Sequence, residues 1–135
     1  MSSFRLERRV DFCDTDLAGI VHFANFFRYM EAAEVAFLKS LGLNVTLEWN
    51  GERLGFPRVS VHCDYVSPAR FDEVLDIDVS LQRLGSKSVT YEFAFSRAGV
   101  PIARGKMTSV CCRVDAQHRI EAIEIPPDIR QRLGG

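Results

Sequence analysis

Asp14 and Asp16, a glycine and a short apolar segment stand together in the stretch Asp11-Phe12-Cys13-Asp14-Thr15-Asp16-Leu17-Ala18-Gly19-Ile20-Val21-His22-Phe23-Ala24-Asn25, directly ahead of residues with helical spacing. Free backbone N–H groups and the positive end of a helix dipole gather at such a place. An oxygen that develops negative charge is stabilised there without a cationic side chain. A carboxylate a few residues upstream can act on the carbon bonded to that oxygen, a combination that suits attack on an ester or thioester carbonyl. Asp16 is the candidate, against the plainer reading of a loop or helix-capping carboxylate. Asp14 reads as a side chain that closes the turn onto the backbone. His22 is a secondary candidate, with a structural or pocket-wall position as its alternative.

Glu34 is a further candidate, because at 100° per residue it falls between Met30 and Phe37 inside the apolar stripe of the same helix. An unpaired charge there is expensive, so Glu34 either pairs with a partner at a subunit interface or faces a cavity. Metal chemistry finds no support: Cys13, Cys63, Cys111 and Cys112 form no CxxC pair and have no histidine at ligand spacing. Adjacent Cys111 and Cys112 point to opposite faces of a strand, and the four thiols read as buried side chains of a cytoplasmic protein.

These residues must be positioned by a chain of 135 residues with 17 Lys and Arg against 18 Asp and Glu, a net charge of −1. A span of 1–135 is one domain with room for a core. Neither a disordered chain nor a nucleic-acid binder fits this balance. The start Met1-Ser2-Ser3-Phe4-Arg5 lacks an apolar leader segment, and no run is long enough to insert in a membrane. Ten Phe, three Tyr and one Trp are more aromatic surface than one helix and one sheet cover, which points to self-association.

The periodicity supplies the elements. Phe4, Leu6, Val10 and Phe12 alternate with Arg5, Glu7, Arg9 and Asp11 as strand one, and only Arg8 breaks the pattern. Phe23, Phe26, Phe27, Met30, Phe37, Leu38 and Leu41 then recur at i, i+3, i+4 and i+7 up to Gly42, a helix of about five turns. Three further alternations follow: Val59 to Tyr65, Leu75 to Leu81 and Val89 to Phe95, with Ile102–Val114 as the last strand. Short turns at Leu84-Gly85-Ser86-Lys87 and Ala98-Gly99-Val100-Pro101 make a meander, and Pro126-Pro127-Asp128 starts a short helix through Leu133. The fold is α+β, a curved antiparallel sheet of about five to six strands wrapped round one long helix.

Asp14-Thr15-Asp16, Ala18-Gly19-Ile20-Val21, Asn25, Tyr29 and Glu34, followed by the block Asp64-Tyr65-Val66-Ser67-Pro68-Ala69-Arg70-Phe71-Asp72, resemble the hotdog-fold thioesterases of the 4-hydroxybenzoyl-CoA thioesterase family. That family includes the Tol-Pal-associated acyl-CoA thioesterases. The resemblance implies hydrolysis of an acyl-CoA or aryl-CoA substrate. Asp16 would serve as nucleophile or general base, the Phe23 N–H as oxyanion donor, and Gly19 as the point where the loop turns. It implies no cofactor, coenzyme A being part of the substrate, and no metal. It also implies a homodimer with a continuous sheet, paired again into a homotetramer, with the substrate tunnel between subunits. Candidate substrate contacts are Val21, Phe26, Tyr29 and Met30 for the acyl group, and Lys87, Ser88 and Arg104 for the nucleotide end. The alternatives are a non-catalytic acyl-thioester binding module, which an intact Asp14-Thr15-Asp16 argues against, and a hotdog hydratase or dehydratase, whose pattern His22 does not match.

Overall fold

The structure, a computed structural model, describes residues 3–134. The ends of the 1–135 span and the Met1-Ser2 start lie outside that range. In chain order the elements are β1 (Ser3–Arg9), a 3-10 turn (Phe12–Asp14), α1 (Asn25–Ser40), β2 (Thr46–Trp49), β3 (Glu52–Gly55), β4 (Arg58–Tyr65), β5 (Val74–Leu84), β6 (Ser88–Arg97), β7 (Val100–Val110), β8 (Cys112–Val114), β9 (Ile120–Ala122) and α2 (Pro127–Leu133). One antiparallel sheet has the order β1-β5-β6-β7-β4, and a smaller one the order β2-β3-β8-β9.

Alternation decides which side of the larger sheet is covered. Leu75, Ile77, Val79 and Leu81 of β5 and Val89, Tyr91, Phe93 and Phe95 of β6 are buried, and Phe26, Tyr29, Met30, Ala33, Phe37 and Leu38 of α1 are buried with them in one core. Each large apolar side chain so buried stabilises the fold by about 1.5–3 kcal/mol. Helix and sheet pack without a gap at Gly105 of β7, where a Cβ would collide with the sulfur of Met30. The sheet therefore wraps one helix in the hotdog arrangement.

Four expectations change in detail. β1 ends at Arg9, and Phe12 is not on its buried face: it lies in the 3-10 turn, 76% exposed, edge-on to Phe71. The chain has to leave the sheet there to reach the helix. α1 starts at Asn25 and has 16 residues, so Phe23 precedes it and is exposed. The stretch 102–114 is two strands, because at Cys111 the main chain stops pairing with the larger sheet: its N–H donates to Lys87 O and its carbonyl accepts from Ile123 N–H. Cys111 and Cys112 are buried as expected, whereas Cys13 is exposed.

The smaller sheet was not read from the sequence. Its β2–β3 hairpin turns at Asn50-Gly51, both at positive φ (51° and 79°), the geometry of a two-residue type I′ turn. β4 also departs from expectation: Val59, Val61 and Tyr65 alternate, yet they are exposed because β4 is an edge strand.

Candidate active site

After Val10, whose N–H still donates to Glu73 O, the chain turns through Phe12–Asp14. Thr15 and Val21 then form an isolated antiparallel bridge, and the residues between them fold into a tight loop. Asp16 N–H donates to Ile20 O and Gly19 N–H to Asp16 O, both at 2.9 Å. Gly19 makes this closure at φ +77°, a conformation costly for residues with a side chain. Asp16 Oδ1 accepts the Ala18 N–H at 2.9 Å, and Oδ2 accepts no hydrogen bond among the described residues. The loop is docked from outside by Val21 N–H on Ala69 O at 2.8 Å.

The mouth of α1 follows at once. His22 N–H donates to Asp14 O, Asn25 N–H to His22 O, Phe26 N–H to Phe23 O and Phe27 N–H to Ala24 O. Ala24 N–H is taken by His22 Nδ1 at 3.2 Å. The Phe23 N–H alone in this run donates to nothing among the described residues. Ala24 caps the helix without a side-chain bond, so no cap carboxylate competes for the dipole. From the facing edge strand, the Tyr65 hydroxyl donates to Phe23 O at 2.9 Å and holds this peptide in place. Partial desolvation, with Cys63 adding to it, raises the Tyr65 pKa.

Asp16 and Phe23 share a cavity of about 520 Å³ with Ile20, Val21, Phe26, Tyr65, Val66, Ser67, Pro68 and Ala69. A half-buried carboxylate with a free oxygen, a free N–H at a helix start and an apolar wall can hold a carbonyl group and let the carboxylate act on it.

The structure thus brings together Asp16, Gly19, Val21, Phe23 and Phe26 of the candidates. Others stand apart. His22 is exposed, stacked on the Phe23 ring at 4.6 Å, and outside the cavity lining. Tyr29 is buried, with its hydroxyl on Asp14 Oδ2 at 2.8 Å, and Met30 fills the space over Gly105, so neither lines the cavity. Glu34 does not line the Asp16 cavity; it is paired within the chain, its Oε1 accepting from Arg58 Nε at 3.0 Å and from the neighbouring Arg58 nitrogen. Ser88 lines a different cleft, of about 530 Å³, with Gln82, Arg83, Thr90, Lys106 and Thr108; Lys87 and Arg104 are exposed outside it. Sequence reasoning gave no role to Tyr65, Val66, Ser67, Pro68 or Ala69, although they lie in the second block of the family resemblance.

The family model of the thioesterase-like superfamily matches residues 10–133, and the chain belongs to that superfamily. The 4-hydroxybenzoyl-CoA thioesterase of Pseudomonas sp. strain CBS-3 is 31% identical over 93% of this chain and 94% of its own length. A 1,4-dihydroxy-2-naphthoyl-CoA hydrolase of Nostoc punctiforme is 30% identical over 97% and 86% respectively. The solved structure of a gentisyl-coenzyme A thioesterase superposes with a TM-score of 0.84 at 30% identity, covering 97% of this chain and 100% of that one.

Proposed function

We propose that this protein hydrolyses an acyl-CoA or aryl-CoA thioester to the free acid and coenzyme A. The observation that carries the reading is a cavity lined by both Asp16, whose carboxylate has one free oxygen, and Phe23, whose N–H just before α1 is unbonded. The thioester carbonyl oxygen accepts that N–H, and the helix dipole adds to the stabilisation as charge develops on the oxygen. Asp16 acts on the carbonyl carbon, directly or through the water it deprotonates. The C–S bond breaks, the sulfur leaves as the thiol of coenzyme A, and water supplies the second oxygen of the acid. Val21 and Phe26 form the apolar wall beside the acyl group. The polar cleft of Ser88 and Lys106, with exposed Lys87 and Arg104 nearby in the sheet, is the proposed seat of the nucleotide end. The reaction needs no metal and no cofactor beyond the coenzyme A of the substrate.

The same reading includes a homodimer, paired into a homotetramer. Its support is the edge strand β4, whose Val59, Val61 and Tyr65 are exposed beside Val66 and the cavity, so that a second copy both extends the sheet and closes the site. No helix among the described residues is long and apolar enough to cross a membrane. Four free cysteines suit the reducing cytoplasm as the place of action.

The test is release of free thiol from a panel of aryl-, short- and long-chain acyl-CoA by the purified protein. Cleavage of at least one class at enzymatic rates is expected, and a flat response across the panel overturns the reading.

A further inference from the structure

Asp14 is outside the lining of the Asp16 cavity, yet it contacts both β1 and α1 on either side of the Asp16 loop. Its side chain is largely buried, 13% exposed, where a carboxylate without partners is costly. Oδ2 accepts the Tyr29 hydroxyl of α1 at 2.8 Å and the Asp11 N–H at 3.4 Å, and lies 3.7 Å from the Arg8 guanidinium of β1. Arg8 is the residue that breaks the apolar alternation of β1, and its guanidinium also covers the Tyr29 ring at 4.9 Å. The Asp14 carbonyl accepts twice more, from His22 N–H at 2.9 Å and Asn25 Nδ2 at 2.8 Å. One residue therefore ties β1 and the first turns of α1 to both flanks of the loop, Asp14 ahead of Asp16 and His22 ahead of Phe23.

We propose that Asp14, held by Tyr29 and Arg8, is a positioning residue: it fixes the Asp16 carboxylate relative to the Phe23 N–H without touching the substrate. The inference rests on the thioesterase reading of Asp16. The reason for its cost is geometric, since small misplacements of a reacting group lower a rate steeply while leaving binding nearly intact.

Tyr29→Phe removes one hydroxyl and keeps the buried ring. Its kcat for the best thioester of the panel is expected to fall about 10-fold, with KM within about 2-fold and a thermal midpoint close to that of the parent. Asp14→Asn, which can still accept from Tyr29, is expected to restore most of the rate that Asp14→Ala loses. In an Asp16→Asn background the Tyr29→Phe change is expected to cost less than about 2-fold, because the group it positions is already disabled. A Tyr29→Phe enzyme with parental kcat overturns the proposal, as does a 10-fold loss that recurs undiminished in the Asp16→Asn background. If instead Asp16→Asn alone turns over at the parental rate, the reading of Asp16 fails, and the positioning proposal falls with it.

Discussion

A charge placed inside an apolar stripe needs a partner, and Glu34 has one that fills only half of it. The residue is 0% exposed, Oε1 receives the Arg58 guanidinium, and Oε2 is buried with no hydrogen bond, as is the Ser109 hydroxyl of the strand beside Arg58. Glu34→Ala is expected to cost about 1–3 kcal/mol in urea unfolding, because it removes the buried partner of Arg58, which keeps only the exposed Glu31 carboxylate 3.7 Å away. Glu34→Gln keeps an acceptor and should cost less. Burial pushes the Glu34 carboxyl above its ordinary 4.5, against the pull of Arg58. The folded state thus holds this proton more firmly than the unfolded chain. That contribution to stability is complete below the ordinary value and is lost as pH rises through the raised one. Relative to Glu34→Gln, the parent should therefore lose stability as pH rises from below the ordinary carboxylate value through the raised one, and unfolding midpoints that stay parallel would contradict this account. Glu34 and Arg8 were both legible in the sequence as charges out of pattern. Their partners were not: Arg58 lies 24 residues from Glu34, and Arg8 meets Asp14 only once the chain has turned out of the sheet.

Among the elements, α1 and β7 approach closely at one point. Met30 is fully buried and its sulfur occupies the space a Cβ at Gly105 would need. Gly105→Ala should lower stability by about 1–3 kcal/mol, the usual range for overpacking a core. Trimming the opposing side chain with Met30→Val should recover part of that loss. If the two changes are simply additive, Met30 and Gly105 are not in contact as described. The central strands were legible because their inward residues are apolar without interruption, Leu75 to Leu81 and Val89 to Phe95. α1 was legible for the same reason. β4 misled because alternation records an apolar face without saying what covers it. The small sheet was missed because its strands have three or four residues each, although Asn50-Gly51 was a hairpin signal available to a reader. At the site, the Asp16 loop was legible from its motif and its place before the helix. Its bracing by Tyr65 and Ala69 depends on contacts across the fold that spacing does not encode.

For the whole molecule, the proposed assembly places a second copy of the chain on the exposed face of β4, beside the open cavity. Val61→Glu places a charge on that edge. It should shift the mass measured by light scattering from a multiple of the chain to a monomer, and turnover should fall with it. A parental protein that is monomeric at micromolar concentration would contradict the assembly. The aromatic surplus is a weaker reason for self-association than the sequence suggests, because most of the Phe and Tyr side chains are buried within one chain; the exposed apolar residues Val59, Val61, Tyr65 and Val66 are the support for the proposed assembly. The central claim is thioester hydrolysis by the Asp16 loop at the mouth of α1. Its most direct test is the rate of thiol release by Asp16→Asn beside the parent, on the best acyl-CoA of the panel. The account expects at least a ~100-fold lower kcat in a variant that folds and assembles as the parent does, and an Asp16→Asn protein that cleaves as fast as the parent would contradict it.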